Sequence, residues 1–175
     1  SPPSWATSSA SRSPPTKSRS STTAACRASA GAWPNLAIVA ELYLERIERI
    51  DRQGPTLGSV IETNPDALTI AQALDEERTQ SGPRGPLHGI PIALKDNIQT
   101  TNMPTTGGAL AFRDYTPPYE ATLVKKLREA GAVLIAKTTL TELANWVATG
   151  MPNSYNAVRG YGYNPYDPRP DPREG

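Results

Sequence analysis

Apolar and polar residues along this chain change period several times, and each change marks an element. Leu36, Val39, Leu42, Tyr43, Ile47 and Ile50 recur at helical spacing, with Glu41, Glu45, Arg46, Glu48 and Arg49 on the other faces. That pattern predicts an amphipathic helix stopped by Gly54-Pro55. Leu57 to Thr63 reads as a short strand. Asn64-Pro65-Asp66 then reads as a helix start, with Asn as N-cap, Pro in the first turn and Asp at the positive end of the dipole. This second helix turns Ala67, Ile70, Ala71 and Leu74 inward and ends before Ser81-Gly82-Pro83.

Past Gly85-Pro86, Ile90, Ile92 and Leu94 alternate with Pro91, Ala93 and Lys95. This is a short strand, apolar enough to be buried on both faces, with Pro91 near its start where a missing donor is tolerated. Thr100 to Pro118 reads as loop. Pro118-Tyr119-Glu120 opens a helix whose Leu123, Val124, Leu127 and Ala130 face the core and whose C-terminal cap is Gly131. Val133 to Ala136 is a buried strand, and Thr139 to Val147 a second short helix with Thr139 through Glu142 as a capping box. Gly150 to Gly175, rich in Gly, Pro, Asn and Tyr, reads as irregular surface chain. Helix, strand and helix in short succession indicate an α/β layer architecture, a mixed β-sheet core flanked by helices.

Composition changes the picture at the N-terminus. Residues 1–33 hold ten of the thirteen serines, together with Pro2, Pro3, Pro14 and Pro15. Such a segment buries too little apolar surface to offset its ordering entropy. It is expected to be disordered or a non-native leader. An organelle transit peptide is the alternative, because residues 1–40 carry Arg12, Lys17, Arg19 and Arg27 and no acid. The body, 34–175, is expected to be a globular but incomplete N-terminal part of a domain. The net charge of +1 argues against nucleic acid as a partner. No apolar run approaches the roughly 20 residues of a membrane span, so no membrane partner is expected. Cys26 is the only cysteine, which excludes an internal disulfide and permits a reducing, cytoplasmic compartment. His88 is the only histidine, and there is no Cys/His cluster, GxGxxG or P-loop pattern. Neither a metal nor another cofactor is expected.

Candidate chemistry centres on Lys95. An ammonium at the end of a buried strand is costly unless it is paired or neutral. Two readings compete: a surface lysine at a strand end, or a lysine whose pKa is lowered by burial so that it acts as a base. Spacing alone does not choose. The glycines of Thr105-Thr106-Gly107-Gly108 likewise either let backbone approach a ligand or make a turn.

The run Gly89-Ile90-Pro91-Ile92-Ala93-Leu94-Lys95-Asp96-Asn97 resembles the lysine motif of the amidase signature family. The similarity continues through Met103 to Gly108, Leu127 to Val133, Ala136 to Glu142 and Asn164-Pro165-Tyr166, and so covers roughly Leu36 to Gly175. The resemblance implies a partial amidase-signature fold and amide hydrolysis by a Ser–cis-Ser–Lys triad. In it a neutral lysine, matched here by Lys95, takes a proton from a serine held in a cis peptide, which activates a nucleophilic serine. An acyl-enzyme forms and water cleaves it. The substrate would be a small-molecule or peptide amide, with no cofactor. The family's two serines lie in a Gly/Ser-rich stretch after the segment matching Asn164-Pro165-Tyr166. Ser154, the last serine here, has flanks unlike that stretch and is expected to be an ordinary loop serine. The chain is therefore expected to be an N-terminal amidase fragment, inactive alone, that keeps the base and lacks the nucleophile. His88 is expected to pack or hydrogen-bond rather than catalyse. Two alternatives are a protein like the ammonia-releasing subunit of the tRNA-dependent amidotransferases and a non-catalytic truncated product. The Asn145-Trp146 helix end and the Tyr/Pro loop after it look more like free-standing amidases.

Overall fold

The computed structural model describes residues 34–168. The expectations for residues 1–33 and 169–175 lie outside the described residues. A helix, α1 (Leu36–Arg46), runs on as a π-helical turn over Ile47–Gln53. Then come β1 (Val60–Thr63), α2 (Ala67–Ser81), β2 (Pro91–Lys95), α3 (Thr122–Glu129) and β3 (Val133–Thr138). Two short strands, β4 (Tyr155–Asn156) and β5 (Gly160–Tyr161), form a small antiparallel pair.

The main sheet is mixed and has the order β1-β3-β2. β3 lies in the centre, antiparallel to β1 and parallel to β2. Its first five residues are buried, which is what an unbroken apolar run followed by one charge predicts for a strand covered on both faces. Val133, Ile135 and Ala136 pack with Leu36, Ala40, Ala67, Ala71 and Leu74 of α1 and α2. Leu134 packs on the other face with Leu94, Met103 and Val124 of α3.

Two neighbours in sequence, Ile135 and Ala136, share the α1/α2 face because β3 carries a bulge. Ile92 pairs with Leu134 but Ala93 pairs with Ala136, so Ile135 is an extra residue. Beyond it the alternation is reversed. Lys137, which an unbroken strand would send toward α1 and α2, instead pairs with Leu94 and shares its face.

Side chains reaching across the chain hold the helices in place. The Asp75 carboxylate of α2 accepts from the backbone N–H groups of Leu36 and Ala37, at 2.7 and 3.1 Å, and satisfies donors that the first turn of α1 cannot pair internally. Asn35 caps the same end by accepting from Ile38 N–H. His88 is buried between elements. The Arg84 N–H donates to its Nδ1 at 3.2 Å, which leaves Nε2 as the donor to the Leu74 carbonyl at 2.9 Å.

Several expectations need correction. β2 is an edge strand, with only Leu94 buried and Ala93 and Lys95 exposed, so it is not covered on both faces. The inward stripe of α1 is Leu36, Ala40 and Leu44, while Leu42 and Tyr43 face outward; small alanines let α2 approach closely. Asn64 does not cap α2. It accepts from Asp66 N–H and donates to the Leu134 carbonyl at 2.6 Å, tying the loop to β3, and Asp66 takes the cap position. α3 begins at Thr122 rather than near Pro118, and Leu123 is exposed. Gly131 does follow the end of α3 at φ +84°, with its N–H on the Arg128 carbonyl. The predicted helix from Thr139 to Val147 is replaced by a four-residue turn, Glu142–Asn145.

Replacing His88 by Ala removes its hydrogen bonds to the Leu74 carbonyl and the Arg84 N–H and empties the space of a buried ring. The expected loss is about 1–3 kcal/mol of unfolding free energy, measured by urea denaturation. A loss below about 0.5 kcal/mol, the range of ordinary surface substitutions, would contradict that role.

Candidate active site

Lys95 ends β2 as an exposed residue. It pairs in register with Thr138, on the sheet face opposite to Leu94 and Lys137. Its ammonium has no hydrogen bond or ion pair to any described residue. The alternation continues one step further: the Asp96 N–H donates to the Thr138 carbonyl at 2.9 Å, which extends the ladder, and the Asp96 side chain is wholly buried. Lys95 and Asp96 therefore point to opposite sides of the sheet. The burial expected of Lys95 from its place at the end of an apolar strand is not supplied by the described residues, because the face of β2 that carries Ala93 and Lys95 is uncovered.

The buried lysine is Lys137. Its side chain is 0% exposed, and its Nζ lies 3.4 Å from Asp96 Oδ1, 2.9 Å from Thr105 Oγ1 and 3.2 Å from the Pro104 carbonyl. Loss of water pushes its pKa below the usual lysine value, and the Asp96 carboxylate opposes that shift. The other Asp96 oxygen accepts from the Thr106 N–H at 3.1 Å and from the Thr106 hydroxyl. One carboxylate thus joins the end of β2, the end of β3 and the loop 104–106. Lys137 was legible in the same way as Lys95, as a charge closing the apolar run Ala132 to Ala136.

The loop is closed on itself. Gly107 N–H donates to the Asp96 carbonyl at 3.2 Å and Gly108 N–H to the Thr106 hydroxyl at 2.9 Å. These glycines make a packed turn. A Cβ on Gly108, at φ +77°, would stand 2.7 Å from Cβ of Asn156. Gly107 in turn accepts from the Leu143 N–H at 2.7 Å. Leu143, Ala144 and Asn145 all have positive φ, between 45° and 68°, which costs non-glycine residues roughly 1–2 kcal/mol each. The Thr139–Glu142 capping box fails because both side chains are engaged elsewhere: Thr139 Oγ1 accepts from Asn156 Nδ2 at 2.6 Å, and Glu142 accepts from the Ala157 N–H at 3.0 Å. Ser154 sits in a turn at φ +64°, its N–H on Thr141 Oγ1, and makes no hydrogen bond with Lys95. Among the described residues no group of three His, Cys, Asp or Glu side chains could hold a metal ion.

This arrangement predicts how the lysines react in the native chain. N-hydroxysuccinimidyl acetate should modify the exposed Lys95, Lys125 and Lys126 and spare Lys137, as read by peptide mass mapping. Modification of native Lys137 as fast as of Lys125 would show that the amine is not buried.

The family model described as Amidase matches residues 39–172. A putative amidase of Schizosaccharomyces pombe is 40% identical over 130 residues, which is 74% of this chain and 22% of that protein. A glutamyl-tRNA(Gln) amidotransferase subunit of Chloroflexus aurantiacus is 40% identical over 129 residues, 73% of this chain and 26% of that one. Among solved structures, the native peptide amidase of Stenotrophomonas maltophilia superposes with a TM-score of 0.75 at 45% identity, covering 77% of this chain and 27% of its own. The chain spans about a quarter of the length of these relatives. With a family match over most of its length and a mixed sheet flanked by helices that superposes on a solved amidase, the chain belongs to the amidase signature family.

Proposed function

We propose that this chain supplies the general base of an amidase that hydrolyses carboxylic or peptide amides through an acyl-enzyme, and that the base is Lys95. The observation that carries this reading is the placement of Lys95. It ends a strand in the family's lysine motif, with its ammonium unpaired and the adjacent carboxylate turned to the other side of the sheet. A lysine so placed, in its neutral form, can take a proton from a serine brought against that face. The serine then attacks the amide carbonyl, the amine leaves with a proton, and water releases the acid. No described serine is placed for this attack: Ser59 donates its hydroxyl to Asp51, Ser81 ends α2, and Ser154 lies in the turn before β4. The nucleophile in this reading lies outside residues 34–168.

The likeness to the peptide amidase of Stenotrophomonas maltophilia, at 45% identity, favours a free-standing amidase. The likeness to the glutamyl-tRNA(Gln) amidotransferase of Chloroflexus aurantiacus, at 40%, supports a second reading in which the same lysine serves ammonia release within an assembly.

The test joins residues 35–168 to the remainder of the Stenotrophomonas peptide amidase in place of its matching segment. In that enzyme Lys95→Ala and Lys95→Arg should each lower kcat by roughly 10²–10⁴-fold, the usual contribution of a positioned proton acceptor, while circular dichroism stays unchanged. Arginine keeps its proton throughout this range. Near-normal turnover in Lys95→Arg would make the lysine an electrostatic or structural group and send the search for the base elsewhere.

A further inference from the structure

Lys137 is a buried ionisable group that the proposed mechanism does not use. Its position bears on Lys95, and the role proposed for it rests on the reading of Lys95 as the base. An aspartate next in sequence to a catalytic lysine is a liability, since a carboxylate within about 4–6 Å holds an ammonium in its charged form. Strand alternation turns Asp96 away but does not remove its field. Asp96 is buried, and in a poorly polarisable interior an uncompensated charge acts at longer range than in water.

We propose that Lys137 is a positioning residue for Lys95: it captures the Asp96 carboxylate on the loop-facing side of the sheet and cancels its charge, so that the Lys95 ammonium stays unpaired and free to give up its proton. The geometry fits this in three ways. Lys137 Nζ and the Thr106 N–H and hydroxyl take both carboxylate oxygens, leaving Asp96 little reason to rotate. The Ile135 bulge places Lys137 on the Asp96 face rather than the Lys95 face. Pro104 and Thr105 satisfy the rest of the ammonium, so that the pair is fully hydrogen-bonded. Other charges do stand near: the cleft bordered by Asp96 and Thr106 is also lined by Arg52, Glu62, Arg113, Asp114 and Arg159. Arg52 is engaged with Glu48 and Arg159 with Asp51, and of the cations near the cleft it is Lys137 that forms an ion pair with the Asp96 carboxylate.

The experiment reads acetylation of Lys95 by N-hydroxysuccinimidyl acetate in the folded chain at one mildly alkaline pH, with Lys125 and Lys126 as internal standards. In Lys137→Met the uncompensated carboxylate should slow Lys95 severalfold relative to those standards. In Lys137→Met/Asp96→Asn the rate should return to within about twofold of the parent. A pure packing role for Lys137 does not predict that recovery. If Lys137→Met does not fold, the double variant decides: with both charges gone its Lys95 rate should match the parent, because the two charges already cancel there. An unchanged Lys95 rate in folded Lys137→Met overturns the proposal, as does a double variant whose Lys95 rate differs severalfold from the parent in either direction. Because this reads the Lys95 amine and not turnover, it stands or falls separately from the kinetics of the Lys95 variants.

Discussion

The Lys137 ammonium has no access to solvent, and each ion taken out of water still costs several kcal/mol after the protein relaxes. That cost is tolerable only where the partner charge and every remaining donor are in place. Asp96, Thr105, Pro104 and Thr106 supply them. Without the Ile135 bulge the side chain would enter the α1/α2 face, which is filled by the apolar Ala40, Ala67, Ala71 and Leu74. The bulge and the ion pair therefore depend on each other. The strand irregularity exists at the point where the charge has to be redirected.

From this point the constraints spread outward. Asp96 fixes Thr106, Thr106 fixes Gly108, and Gly108 leaves room for Asn156, which in turn holds Thr139 and the Leu140 carbonyl. Gly107 anchors Leu143 at the head of the left-handed turn, whose strain is offset by this anchoring and by the grip of Glu142 on Ala157. The segment after β3 is thus set by contacts with residues 104–108 and 156–157 rather than by its own helical preference.

This explains what could be read from the sequence. The α/β character, both long helices, the β2 and β3 strands and the Gly131 cap follow from local apolar period and turn chemistry, and the chain shows them. The α1 stripe was rotated because side-chain size decides helix approach: Ala40 is buried while larger Leu42 and Tyr43 are left outside. The turn at 142–145 was misread as a helix because its determinant, Asn156, lies more than ten residues away. β2 looked doubly buried because an apolar run does not say whether a strand is central or at an edge. In the site, the motif pointed to Lys95 as the candidate base, and the structure turns Asp96 to the other side of the sheet. The partner of Asp96 was hidden, because a one-residue bulge that flips parity leaves no mark in the pattern of apolar residues.

The central claim is that Asp96 and Lys137 form one buried, mutually dependent pair. The most direct measurement is a double-mutant cycle on unfolding free energy in urea with Asp96→Asn, Lys137→Met and both together. The account predicts that each single change is strongly destabilising, since it leaves the other charge buried and alone. The double change should cost less than the sum of the two, with a coupling of about 1.5 kcal/mol or more, in the range for directly interacting residues. Additive losses, with a coupling within about 0.5 kcal/mol of zero, would contradict it.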